Sequence, residues 1–265
     1  MNQRRVGLAT LLGVLFLAFV VDPAAAQSTA DTTTEELIWG INSWLLFLAI
    51  PIAVLVEGIL IYTVWKYRKQ DEPLPTRENR RLEITWTVAT AIILVAVGIG
   101  SYTVLADPFV TASSNQELET EQDPIEIQVT AQKYAWTYTY PNETVGEVVD
   151  ERNLGENATV SEVQYTQAGT DGQGLMIPTD RPVRFNITST DWLHAFHVPQ
   201  LGLKSDAFPG TYNTLITQAN NEGEYQLYCA EYCGVGHSGM LGTVEVTSQE
   251  EFEQFLTEQT NESAN

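Results

Sequence analysis

The chain has 265 residues, 44% of them hydrophobic and 18% charged, with 34 acidic against 13 basic side chains and a formal charge of −21. That balance excludes nucleic acid as a partner, because the phosphate backbone would be repelled. The length holds one sizeable domain together with membrane segments.

Residues 1–26 read as a signal peptide: Arg4 and Arg5 supply the charged start, Val6 to Val21 the apolar stretch and Ala24-Ala25-Ala26 a small-residue cleavage site. The Arg4-Arg5 pair also fits a twin-arginine export signal. A retained third helix is the alternative, but the stretch falls short of the roughly 20 residues a span needs. Residues 27–40 form an outer N-terminal segment. Two longer apolar runs follow, Ile41 to Trp65 and Ile84 to about Leu105, and each can cross a bilayer. A transmembrane helical hairpin is therefore expected over 41–106, with the loop 66–83 between its arms.

That loop carries Lys66, Arg68, Lys69, Arg77, Arg80 and Arg81, whereas Gln27 to Gly40 carries no basic residue and the next one after the second run is Lys133. The positive-inside rule puts the loop in the cytoplasm and the C-terminal domain outside a cell membrane. Trp39, Trp44, Trp65 and Trp86 stand near the span ends, as interfacial aromatics do. Glu57 inside the first run calls for a partner, either a structural hydrogen bond to another helix or a proton relay.

Residues 107–260 read as a β-domain. Ile125 to Val129 and Trp136 to Pro141 alternate in polarity, and Val183 to Thr188, Tyr212 to Gln218, Gly223 to Tyr228 and Gly242 to Val246 are further candidate strands. Asn142 to Gly174 is polar and is expected as long loops. Many short strands broken by Gly, Pro and Asn indicate a β-sandwich. Ser248-Gln249-Glu250-Glu251 is a capping box opening a last helix, and 261–265 is expected as a disordered tail. Past residue 106 there are 25 acidic and five basic residues, a surface suited to high salt or to a basic partner. Glycosylation sequons stand at Asn142, Asn157, Asn186 and Asn261, the loop sites Asn142 and Asn157 being the better candidates.

The chemistry is concentrated in Tyr228 to Met240, where both cysteines, His237 and Met240 form a C-x3-C-x3-H-x2-M run. Thiolate, imidazole and thioether make a soft ligand set that suits copper. Two cysteines outside the cell would by default form a disulfide, but a disulfide gives no reason for a histidine and a methionine at fixed offsets. Upstream, His194 and His197 compete as a further ligand. A copper chaperone or thiol oxidoreductase using C-x3-C alone is the rival reading; no C-x-x-C-H is present, so no c-type haem is fused to the chain.

The run resembles the binuclear CuA centre of cytochrome c oxidase subunit II, and the resemblance covers nearly the whole chain after the signal peptide. It extends to Ser189-x-Asp191-x-x-His194, to Leu201-Gly202-Leu203-Lys204-Ser205-Asp206 with Pro209-Gly210, and to Glu83-Ile84-Thr85-Trp86-Thr87. The resemblance implies a membrane-anchored all-β protein: a two-helix hairpin followed by a cupredoxin-like Greek-key β-sandwich. It implies Cys229 and Cys233 bridging two coppers, His194 and His237 capping one each, Met240 and the Glu231 carbonyl as weak ligands, and the Glu231 carboxylate reaching a magnesium ion at subunit I. Glu83 is then a candidate for proton entrance to subunit I, although an acid there also suits the helix dipole. Where the family carries Q-W-x-W for receiving electrons, this chain has Gln132-Lys133-Tyr134-Ala135-Trp136, so Tyr134 and Trp136 are the candidate aromatics. The implied function is to accept electrons from cytochrome c or a blue-copper protein and pass them to haem in subunit I, with subunit III a further partner. Nitrous oxide reductase shares the motif but not the hairpin, and quinol oxidases lack the ligands.

Overall fold

The computed structural model describes residues 30–263 except 71, 73–76, 113–117, 119, 121, 151–152 and 156–158. The expected signal peptide and the sequon at Asn157 lie outside the described residues. The chain divides into two compact units, one holding 39–105 and the other 30–38 with 106 onward.

The first unit is a helical hairpin. Helix α1 spans Thr33–Tyr67 and α2 spans Arg80–Leu105. Their apolar side chains, among them Phe47, Ile61, Leu94 and Tyr102, face outward rather than into a core. A helix apolar on its outside is stable only where the surroundings are apolar too, which is the condition of a membrane span. At about 1.5 Å per residue each is long enough to cross. Gly100 lets the Trp44 indole lie against α2, because a Cβ there would stand 3.1 Å from the ring. Asn79 opens α2 by accepting the Leu82 N–H (3.2 Å), which places Glu83 in the first turn.

The expected outer segment is less independent than its composition indicates. Residues 30–38 belong to the β-unit. Thr32 is buried: its Oγ1 donates to the Leu201 carbonyl (2.8 Å) and accepts the Glu35 N–H (3.0 Å), so it caps the first helical turn within the β-unit.

The β-unit is a sandwich of two five-stranded sheets. Its strands are β1 (Ile125–Gln132), β2 (Ala135–Tyr140), β3 (Val163–Gln167), β4 (Leu175–Pro178), β5 (Pro182–Ser189), β6 (His194–Val198), β7 (Leu203–Ala207), β8 (Asn213–Gln218), β9 (Gly223–Cys229) and β10 (Leu241–Thr247). One sheet has the order β3-β2-β1-β5-β8 and the other β4-β10-β9-β6-β7. The parallel pairs β1–β5 and β10–β4 are the crossovers that make the topology a Greek-key-like, cupredoxin-like sandwich rather than a meander. Inward residues fill the space between the sheets: Ile127, Val129, Trp136, Tyr138, Phe185, Phe196 and Leu227 are almost completely covered. Each such side chain contributes about 1.5–3 kcal/mol by leaving water.

The six expected strands are present with ends shifted by a few residues. The expected long loop over Asn142 to Gly174 is corrected: it holds helix α3 (Asn142–Val148) and strand β3. Val145 in α3 and Val149 at its end are buried, and Thr144 Oγ1 donates to the Glu126 carbonyl (2.9 Å), anchors too sparse to give a clear period. The last helix, α4 (Gln249–Ser263), begins at the expected box, with Ser248 Oγ accepting the Glu251 N–H (3.2 Å). It runs past Thr260, so 261–263, expected in a disordered tail, are helical; Phe252, Phe255 and Leu256 bury its inner face.

Candidate metal centre

The two cysteines stand at the end of β9 and in the loop that follows. Cys229 is the last residue of β9 and takes its N–H bond to the Met240 carbonyl (3.0 Å), so strand and returning loop close on each other. Within the loop a short 3₁₀ turn spans His237–Gly239, and its bonds His237 N–H to Gly234 O (3.1 Å) and Met240 N–H to His237 O (3.1 Å) wind it tightly. Gly234 has φ +132°, a left-handed conformation that favours glycine. A Cβ at Gly236 would meet Tyr134 Cδ2 at 2.5 Å, so this glycine makes room for the ring rather than for a backbone angle.

Six donors converge there. The thiols of Cys229 and Cys233 are free, their sulfurs 3.9 Å apart. His194 Nδ1 lies 3.8 Å from Cys229 Sγ and 3.1 Å from Met240 Sδ. His237 Nδ1 lies 3.6 Å from Cys233 Sγ, which is 3.9 Å from Met240 Sδ. The Glu231 carbonyl accepts the Cys229 thiol at 3.1 Å. The ligand atoms of His194, Cys229 and Cys233 all fall within 4.8 Å of one another, and these three residues are buried. Two thiols, two imidazoles, a thioether and a carbonyl form a soft, water-poor donor set, and the residues fit copper.

Electrostatics separate the two thiols. Burial opposes ionisation of Cys229, but the hydrogen bond to His194 and those from the backbone outweigh it and bring the thiol down to about 6. Burial and then the neighbouring Cys229 sulfur push Cys233 up to about 11. The first thiolate is thus favoured and the second is penalised by the first, as expected of two acidic groups in contact.

Strand parity separates the two competing histidines. In β6 the residues 194 and 197 face opposite sides. His194 is fully buried and turns toward the sulfurs. His197 is half-buried, with Nδ1 2.8 Å from the Leu203 carbonyl and its ring edge-on to Tyr228 at 5.0 Å.

A residue that sequence reasoning quoted only within a pattern has a clear task. Asp191 Oδ1 lies 3.0 Å from His194 Nε2, and its Oδ2 accepts the Lys133 N–H (2.9 Å). Burial works against this carboxylate, but the His194 bond and the backbone N–H groups of Lys133 and Trp192 hold its pKa below the ordinary value. With Nε2 engaged by a carboxylate, Nδ1 is the nitrogen that faces the sulfurs. Acid and histidine three residues apart were the available signal.

The two expected electron-receiving aromatics are placed differently, Trp136 in the core and Tyr134 nearer the surface. Trp136 is fully buried, edge-on to His194 (6.5 Å) and to Phe196 (5.8 Å). It alternates with Tyr138 and Tyr140 on the core face of β2. Tyr134 is half-buried over Gly234 and Gly236, against the cysteine loop. Glu83 belongs to the hairpin unit and is exposed there.

Comparison with known proteins agrees with these features. The family model "Cytochrome C oxidase subunit II, periplasmic domain" matches residues 125–247, and "Cytochrome C oxidase subunit II, transmembrane domain" matches 22–104. A probable cytochrome c oxidase subunit 2 of Rickettsia bellii is 30% identical over 269 residues, covering 97% of this chain and 94% of its own. The cytochrome c oxidase subunit 2 of Cereibacter sphaeroides is 30% identical over 247 residues, covering 87% of this chain and 78% of its own. Among solved structures, the periplasmic domain of subunit II of cytochrome oxidase (CoxB) of Bradyrhizobium japonicum aligns with a TM-score of 0.43 at 23% identity, over 53% of this chain and 96% of that one. The family implies copper at the soft donor set, a membrane anchor and an extracytoplasmic C-terminal domain. The chain belongs to the cytochrome c oxidase subunit II family and is the electron-accepting subunit of a haem–copper oxidase, an oxidoreductase complex.

Proposed function

We propose that Cys229 and Cys233 bridge a pair of copper ions, that His194 and His237 cap one each, and that Met240 and the Glu231 carbonyl are weak outer ligands. The observation that carries this reading is the meeting of two free thiols, two imidazole Nδ1 atoms and a thioether within one short turn. When bound, the copper pair supplies one-electron redox chemistry between an external donor and haem in subunit I, where oxygen reduction is coupled to proton pumping.

The chain's own residues determine how well that chemistry runs. Strand β9 and the 3₁₀ turn hold the donors before any metal arrives, so a change of charge moves few atoms. Burial of His194, Cys229, Cys233 and Met240 keeps water from competing as a ligand. Asp191 keeps the proton on His194 Nε2 and so fixes which nitrogen faces the sulfurs. Tyr134 covers Gly234 and Gly236 and shields the loop.

The same reading extends to the partners. The donor is a cytochrome c or a blue-copper protein, the membrane is the plasma membrane, and subunits I and III are the neighbours of the hairpin. The Glu231 carboxylate reaches a magnesium ion at subunit I, and Glu83 donates protons into subunit I. Thiol alkylation tests the core of the reading: copper loading should protect both Cys229 and Cys233 together. Protection of one thiol alone, or a Cys229–Cys233 disulfide in the folded chain, would reject the pair of bridges and favour the thiol-redox alternative.

A further inference from the structure

The β-unit exposes a few large apolar side chains around the copper loop: Trp192 is 54% exposed, Tyr232 71% and Val235 97%. Trp192 is tied to the site differently from the other two. It follows Asp191, whose carboxylate reaches His194 Nε2 at 3.0 Å. Its own N–H bonds the buried Ser189 Oγ at 3.4 Å, which fixes the turn that presents the indole. From the other side the Lys133 ammonium stands 4.5 Å from the ring centre, while the Lys133 backbone N–H bonds Asp191. An exposed aromatic held on both sides loses little freedom on binding. The route from indole to imidazole is covalent except for the single Asp191–His194 bond.

Charge indicates what would dock there. Lys133 is one of five basic residues beyond position 106, against 25 acidic ones, and its ammonium is engaged with the indole. The surface offered is therefore an apolar centre on an acidic domain, and its complement is a carrier protein with an apolar contact face rimmed by basic groups. Trp136 is buried and Tyr134 half-buried, so Trp192 is the aromatic on the His194 side that such a partner reaches.

We propose that Trp192 is the residue on which the electron donor docks and through which the electron passes to the His194 side of the copper site. The inference rests on the copper reading above. In each transfer the donor's metal is oxidised by one electron and the copper site is reduced by one; no bond is made or broken and no proton moves.

The test uses the complete oxidase carrying wild-type chain, Trp192→Ala or Trp192→Phe. Two oxidised probes, a basic c-type cytochrome and a basic-rimmed blue-copper protein, are titrated against it so that binding is measured with no electron flow. Trp192→Ala should weaken the probe that binds wild type about 10–30-fold, and Trp192→Phe should recover most of the loss. The copper absorption bands and reduction by a small-molecule reductant should not change. Equal binding by Trp192→Ala with the bands intact would overturn the inference and leave the copper reading standing. Loss of the bands in Trp192→Ala would make the residue a support of the site, and a wild-type oxidase binding neither probe would remove the docking surface; either result also overturns it. Wild type without copper bands would instead be a failure of the copper reading.

Discussion

The two histidines of the site are held in opposite ways. His194 belongs to a strand, is fully covered, and is braced by Asp191 and by the edge of Trp136. His237 belongs to a 3₁₀ turn, is half-buried, and has the exposed Tyr232 ring edge-on at 5.7 Å. The sheet dictates one position, while the other depends on the loop winding correctly around its glycines. One half of the site is thus a property of the domain core and the other a property of thirteen consecutive residues, Tyr228 to Met240.

The sulfurs joining the halves should show the largest effect. Cys233→Ser leaves the β9 end and His194 in place but removes one bridge, so the paired-copper signal should vanish while circular dichroism shows the sandwich still folded. Bracing comes next. Asp191→Asn keeps the size but loses the carboxylate at His194 Nε2, and copper affinity measured by competition with a chelator should fall about 10–100-fold. His197→Ala, on the opposite face of the same strand, should leave affinity as it was.

Titration separates the two thiols. Cys229, at about 6, is ionised at neutral pH, and Cys233, at about 11, is not. Copper must displace the Cys233 proton, so loading at neutral pH should release protons to a weakly buffered solution. As pH falls through about 6 the Cys229 thiolate is lost as well, and apparent affinity should drop more steeply; an affinity independent of pH would contradict this ordering.

The smallest effects are on the loop side. Gly236→Ala collides with the Tyr134 ring and should cost about 1–3 kcal/mol in thermal or denaturant unfolding. Gly239→Ala meets nothing within 4 Å and should stay within about 0.5 kcal/mol.

The loop half was more legible in the sequence than the strand half. Cysteines, histidine and methionine four, four and three residues apart announce a turn full of donors, because close spacing forces proximity. The hairpin was legible for a similar reason, since a long apolar run has few alternatives. His194 against His197 stayed open because β6 lacks a run of alternation long enough to mark it as a strand, and without the strand there is no parity to apply. Trp136 shows the converse. It alternates with Tyr138 and Tyr140, a period that places it on the core face of β2, whereas the family motif that singles it out carries no information on burial. Helix α3 leaves no period in the sequence because a few buried anchors hold seven polar-rich residues against β1.

The account is tested most directly by the electron paramagnetic resonance spectrum of the purified oxidase under partial reduction. An unpaired electron shared equally between two copper nuclei, lost in Cys233→Ser, is the predicted result. A spectrum from one isolated copper nucleus bound at His194, with Cys229 and Cys233 joined to each other, would contradict it.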